Sequence, residues 1–125
     1  MKIERLKSNK EISHLFSTGK FLYTDNLKCG YTIFNKKEES VVKIAVSVPK
    51  KLFKLAVNRN KIKRQLRESY RLSNNIIKDI IQQQEISMNI MIIYNTKEKL
   101  NYHTIDSEVK IILNKIAVNI KETTI

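Results

Sequence analysis

The chain has 125 residues, 24 Lys plus Arg against 12 Asp plus Glu, a formal net charge of +12, and 42% hydrophobic residues. That length predicts a single domain, 1–125, able to build a cooperative core, and the hydrophobic fraction excludes a disordered polycation. One cysteine, Cys29, and two histidines, His14 and His103, exclude an intrachain disulfide and supply neither a thiol cluster nor a histidine-rich metal site.

The first predicted element is a helix at about 8–18. Ser8-Asn9-Lys10-Glu11 fits a capping box, with Ser8 as N-cap and Glu11 reaching back to it. Ile12, Leu15 and Phe16 follow at helical spacing, and Gly19 suits a left-handed helix end. Residues 27–34 alternate Leu27, Cys29, Tyr31 and Ile33 on one side and read as a strand, in which Cys29 is packing. Lys36–Ser40 is a polar turn. Residues 41–48 put Val42, Ile44, Val46 and Val48 on one face of a second strand, which Pro49 stops. Asn58 is the expected N-cap of a long helix running to about Gln83. In that helix Ile62, Leu66, Ser69, Tyr70, Ser73, Ile76, Ile77 and Ile80 share one arc, and Asn60, Lys63, Arg64, Arg67, Arg71 and Lys78 share another. Residues 86–94, ISMNIMIIY, read as a central strand buried on both faces. Thr104 is the expected cap of a last helix at about 105–121, with Asp106 and Glu108 in its first turn. The predicted fold is α+β, in the order α-β-β-α-β-α, a small sheet covered by helices.

The charge is focused. Residues 50–71 hold nine basic residues and one acid, Glu68, so this stretch carries most of the net charge. Such a field attracts nucleic acid, an anionic membrane surface or an acidic protein. Like charges one helical turn apart, Lys63/Arg67 and Arg67/Arg71, cost a few tenths of a kcal/mol each, which points to a polyanion outside the chain. Arginine favours bidentate phosphate contact. A membrane-surface helix would bury its apolar arc in lipid, but this domain needs that arc for its core. No run approaches about 18 apolar residues. The opening MKIERLKSNKE has no apolar signal region, so the expected compartment is the cytoplasm, with no membrane partner.

The stretch VSVPKKLFKLAVNRNKIKRQLRESYR, residues 46–71, resembles the signature of the protein component of bacterial ribonuclease P. Lys50-Lys51, Ala56-Val57, Arg59-Asn60-Lys61, Ile62-Lys63-Arg64 and Arg67-Glu68 match its successive parts. The leading Arg5-Leu6-Lys7, then Ile12, Phe16 and Gly19, resemble the family's opening helix region more loosely. Lys61 stands where the family has arginine, Phe53 where it usually has glycine, with one residue inserted before Ala56. Ile12 replaces the first aromatic of the opening helix.

The resemblance implies an α+β fold with a left-handed crossover around the basic helix, where general chirality would favour a right-handed one. It implies a subunit of the ribonucleoprotein endonuclease that removes 5′ leaders from precursor tRNA, with the RNA subunit as catalyst. Lys50, Lys51, Arg59, Asn60, Lys61, Lys63, Arg64, Arg67 and Arg71 are then expected on the catalytic RNA, recognised through phosphate and shape. Magnesium belongs at the RNA or the RNA–protein interface, where Asn60 is placed to orient a bound water. A cleft between first helix and sheet would hold the single-stranded leader through stacking and cations, from Phe16, Lys20, Phe21, Lys28 and Tyr31, with Phe34 as a further candidate. Phe16 and Tyr31 equally fit the core. No catalytic residue, protein-held metal or obligate protein partner is expected. Asp25, Asp79 and Asp106 are scattered, which argues against a stand-alone nuclease. A general RNA-binding or ribosomal-type protein is the alternative.

Overall fold

A computed structural model describes residues 1–123. The elements are β1 (Lys2–Arg5), α1 (Asn9–Thr18), β2 (Lys20–Tyr23), β3 (Leu27–Asn35), β4 (Val41–Ser47), α2 (Ala56–Ser73), α3 (Asn75–Gln83), β5 (Ile86–Tyr94) and α4 (Tyr102–Thr123). The strands form one mixed sheet in the order β1-β4-β5-β3-β2. β2–β3 and β3–β5 pair antiparallel, while β1–β4 and β4–β5 pair parallel.

The expected α+β domain is present with two strands more than the predicted order. β1 and β2 are four-residue edge strands, KIER and KFLY, too short for a pattern to set them apart as strands. Such short edges also discourage pairing with other chains.

β5 organises the packing. Met88, Ile90, Ile92 and Tyr94 enter the main core with Ile62, Leu66 and Tyr70 of α2, Ile77 and Ile81 of α3, and Ile105, Val109 and Ile112 of α4. On its other face Met91 joins Leu6 and Leu15, with Ile12, Phe21, Ala45 and Ile93 packed around them. Three helices therefore cover one face of the sheet, and α1 alone covers part of the other.

The long basic segment is two helices. Asn74 separates them, and its side-chain amide donates to the Arg71 carbonyl at 2.9 Å, occupying an acceptor that a continuous helix would use. The helix begins at Ala56 after Leu55, which makes no side-chain cap, and Asn58 lies inside the first turn. The predicted core arc is otherwise intact: Ile62, Leu66, Ser69, Tyr70, Ser73, Ile77 and Ile80 are buried, and Ile76 packs at the edge. In α4 the N–H of Thr104 donates to Asn101 Oδ1 at 2.8 Å, so Asn101 caps in place of Thr104.

At α1, Ser8 Oγ accepts from the Glu11 N–H at 3.2 Å as expected. The Glu11 carboxylate does not complete the box; it accepts from Lys43 Nζ at 3.1 Å and from Asn89 Nδ2 at 3.2 Å. Gly19 is extended, φ −70° and ψ 161°, not left-handed. Glycine is needed there for another reason: a Cβ would lie 2.4 Å from the Leu15 carbonyl oxygen.

Polar pins fix α4 to α2 and to the β2–β3 turn. Ser69 Oγ donates to Asp106 at 2.7 Å and joins α2 to α4. The buried Glu108 accepts from Thr24 Oγ1 at 2.5 Å, Asn26 N–H at 2.8 Å and Asn26 Nδ2 at 2.6 Å, holding the β2–β3 turn against α4. Burial alone would raise the Glu108 pKa, but these hydrogen bonds outweigh it and the net shift is downward from 4.5. Its ionised form thus stabilises the fold above the ordinary glutamate range, and that stability is lost as pH falls through the lower folded value. Glu108→Gln is expected to cost about 1–3 kcal/mol at neutral pH. Urea unfolding across pH should show the gap to wild type narrowing as pH drops below the ordinary range.

Candidate nucleic-acid interface

The buried arc of α2 turns the opposite arc to solvent. Asn60, Lys61, Arg64, Arg67 and Arg71 are exposed and Lys63 is half-buried; Lys50, Lys51 and Lys54 are exposed in the loop before the helix. Arg71 is held by Glu68 through Nε at 3.1 Å and Nη2 at 2.7 Å. This pairing raises the Arg71 pKa and lowers that of Glu68. The remaining cations of the face take part in no ion pair among the described residues.

Arg59 differs from its neighbours. Its Nη1 donates to the carbonyls of Phe53 and Lys54, each at 2.8 Å, and so closes the loop onto the first turn of α2. Part of its guanidinium is therefore committed to the fold.

Across the sheet, α1 divides its open face into two flanks. On one flank Phe16, 48% exposed, stacks on Phe21 with centroids 6.1 Å apart, and Lys28 Nζ lies 5.0 Å from the Phe21 ring and 5.7 Å from that of Tyr23. The β2–β3 register pairs Phe21 with Gly30 and Tyr23 with Lys28, which brings all four to the α1 side. Gly30 makes this possible, because a Cβ there would lie 2.6 Å from the Phe21 ring and 2.8 Å from Leu15 Cδ2. On the other flank His14 meets Phe34 at 6.1 Å, beside a cleft of about 350 Å³ lined by Glu11, Lys43, Ser87 and Asn89. The Lys43 ammonium beside Glu11 holds that carboxyl below its usual range.

Two sequence expectations for this cleft need correction. Tyr31 faces the main core, is 2% exposed, and its hydroxyl accepts from Asn119 Nδ2 at 3.0 Å. Its phase in β3, shared with Leu27 and Cys29, points it away from α1. Lys20 pairs with Tyr31 and shares its side of the sheet, exposed at the edge. Phe16, Phe21 and Lys28 do come together. Tyr23, 55% exposed, was not identified from sequence; its alternation with Phe21 in an unrecognised edge strand was the available signal. Among the described residues no group of three His, Cys, Asp or Glu side chains is placed to hold a metal ion.

Arg59→Ala is expected to destabilise the free protein by about 1–3 kcal/mol through its lost carbonyl bonds. Arg64→Ala should change stability by less than about 0.5 kcal/mol. Thermal unfolding of the two variants checks this division.

The sequence model of the family described as Ribonuclease P matches residues 1–117. The ribonuclease P protein component of Porphyromonas gingivalis is 31% identical over 124 residues, covering 99% of this chain and 90% of that protein. That of Clostridium botulinum is 33% identical over 118 residues, covering 94% and 98%. The solved Staphylococcus aureus RNase P protein is 27% identical with a TM-score of 0.69, covering 90% of this chain and 94% of that one. The RNase P protein from Thermotoga maritima, at 22% identity and a TM-score of 0.70 over 89% and 96%, supports the fold alone. With nearly its whole length matched by the family and by these relatives, the chain belongs to the ribonuclease P protein component family.

Proposed function

We propose that the chain is the protein subunit of a ribonuclease P ribonucleoprotein, binding the catalytic RNA and the 5′ leader of precursor tRNA, and aiding endonucleolytic removal of that leader. The observation that carries this reading is the presence of two different RNA-compatible surfaces on opposite faces of one sheet. The cations of α2 lie on the helix-covered face; Phe16, Phe21, Tyr23 and Lys28 lie beside α1 on the other. One chain can thus hold two RNAs at once.

The α2 face suits folded RNA, which is bound through phosphate and shape. Lys50, Lys51, Lys61, Lys63, Arg64, Arg67 and Arg71 supply the charge, and Arg59 contributes whatever part of its guanidinium the loop leaves unused. The aromatic cleft suits a single strand of variable sequence, because every base has a face to stack. Tyr31 is left out of that contact because it is buried, and Lys20 because it shares Tyr31's side of the sheet.

Cleavage belongs to the RNA subunit, and magnesium to that RNA or its border with the protein. The exposed amide of Asn60 is a neutral donor–acceptor on the α2 face and would orient a metal-bound water there; the carboxylate of Glu68 is already engaged by Arg71. The magnesium supplies charge neutralisation between RNA strands, and the cations of this chain reduce the amount required. The proposed compartment is the cytoplasm; among the described residues no helix is long and apolar enough to cross a membrane.

The chain acts on substrate affinity. Mature tRNA lacks the leader, so the cleft touches the precursor alone. At about 1–3 kcal/mol per stacked base, two contacts favour precursor over product by roughly 30-fold or more. The test compares holoenzyme with RNA alone on precursors whose leaders are trimmed stepwise to one nucleotide. The affinity gain from protein should shrink with the leader, and Phe16→Ala should reduce it for long leaders only. A gain independent of leader length would reject the cleft assignment.

A further inference from the structure

β4 runs on past the end of β1. The register pairs Arg5 with Ile44, the Leu6 N–H adds a bond to the Ile44 carbonyl at 2.9 Å, and Ala45 and Val46 continue without a β1 partner. α2 packs beside this point and brings Arg67 and Tyr70 to it. The result is a cleft of about 200 Å³ in which Arg5 and Lys7, from one end of the chain, meet Arg67 from the middle of it, over Ala45, Val46 and Tyr70.

None of these three cations takes part in an ion pair among the described residues, whereas Lys2 on the same strand pairs with Glu4 at 3.2 Å. Partial burial, and then repulsion from Arg5, hold the Arg67 guanidinium below the ordinary arginine range. It nevertheless remains charged at neutral pH. Three like charges around one cleft with no acid among them are unfavourable in the free protein, and an anion placed between them reverses the sign of that interaction. Arg67 also lines the neighbouring groove with Lys61, Arg64 and Arg71, so the cleft is continuous with the cation face of α2.

We infer that this cleft binds one phosphodiester group of the catalytic RNA through Arg5, Lys7 and Arg67, extending the RNA contact from α2 onto the edge of the sheet. The inference rests on the proposed assembly with that RNA. Its continuity with the α2 face favours a backbone phosphate over a free anion, and two guanidinium groups suit bidentate contact.

The test measures affinity of the full chain for the RNA subunit across a salt series, for wild type, the double variant Arg5→Ala/Lys7→Ala, and Arg64→Ala as reference. The double variant is expected to bind about 10-fold or more weakly at moderate salt, with a log–log salt slope shallower by about one and unchanged thermal unfolding. Wild-type affinity and slope in the double variant, with Arg64→Ala weakened, would overturn the inference and leave RNA docking by α2 standing. Wild-type behaviour in both variants would remove the docking reading itself. In parallel, inorganic phosphate is titrated into the free chain while the Arg67 side-chain N–H resonance is followed. A shift in wild type that the double variant loses supports the site. That same shift with RNA affinity unchanged in the double variant assigns the cleft to a free anion only and overturns the inference.

Discussion

Burial of Ile62, Leu66 and Tyr70 against the sheet fixes which way the cations of α2 point. A helix has one outward face when its opposite arc is in a core, and here that arc is needed to pack against β4 and α4. The cost of removing large apolar side chains from such a site, about 2–5 kcal/mol each, exceeds the few tenths of a kcal/mol that like-charge neighbours cost on the outward face. Packing therefore wins, and the repulsive stripe is held in place. Asp106 reinforces this by taking the Ser69 hydroxyl, which locks the rotation of α2 relative to α4.

The second surface follows from the same economy of chain. α2, α3 and α4 are all on one face, which leaves ten-residue α1 to protect the other. Leu15 anchors it over Met91, and Glu11 ties it to Lys43 and Asn89. α1 is too narrow to cover Tyr23 and Phe34 as well, and it leaves Phe21 half-buried. Phe21 is ordered by the Leu15 core, and Phe34 and Tyr23 by a neighbouring ring or by Lys28 at the sheet surface. Rings held in that way lose little freedom when a base stacks on them.

Much of this was legible in the sequence. The apolar run of β5, the alternation in β3 and β4 and the two arcs of α2 are strong periodic signals, and the structure follows them. The misses share a cause: each depended on a contact distant in sequence. β1 and β2 are strands because β4 and β3 offer them edges. Asn74 interrupts a helix whose apolar period continues across it. Glu11 looked committed to Ser8, yet Lys43 and Asn89 offered its carboxylate a better site. In the cleft, alternation alone placed Tyr31 with Leu27 and Cys29, but which side of the sheet α1 would occupy was a tertiary fact. Arg5 and Lys7 were seen as part of a loose N-terminal resemblance, and only parallel pairing of β1 with β4 brings them to Arg67.

The central claim is that one sheet keeps two RNAs on opposite faces, and directed hydroxyl-radical probing tests it most directly. Cys29 is fully buried, with its thiol pushed up to about 12 by burial, so an iron chelate attaches to introduced thiols. Leu72→Cys on exposed α2 and Ser17→Cys on α1 beside Phe16 place the chelate on the two faces. In the assembled complex with precursor tRNA, the Leu72 position should cut the RNA subunit and the Ser17 position should cut the leader. Cleavage of the same strand from both positions would contradict the account.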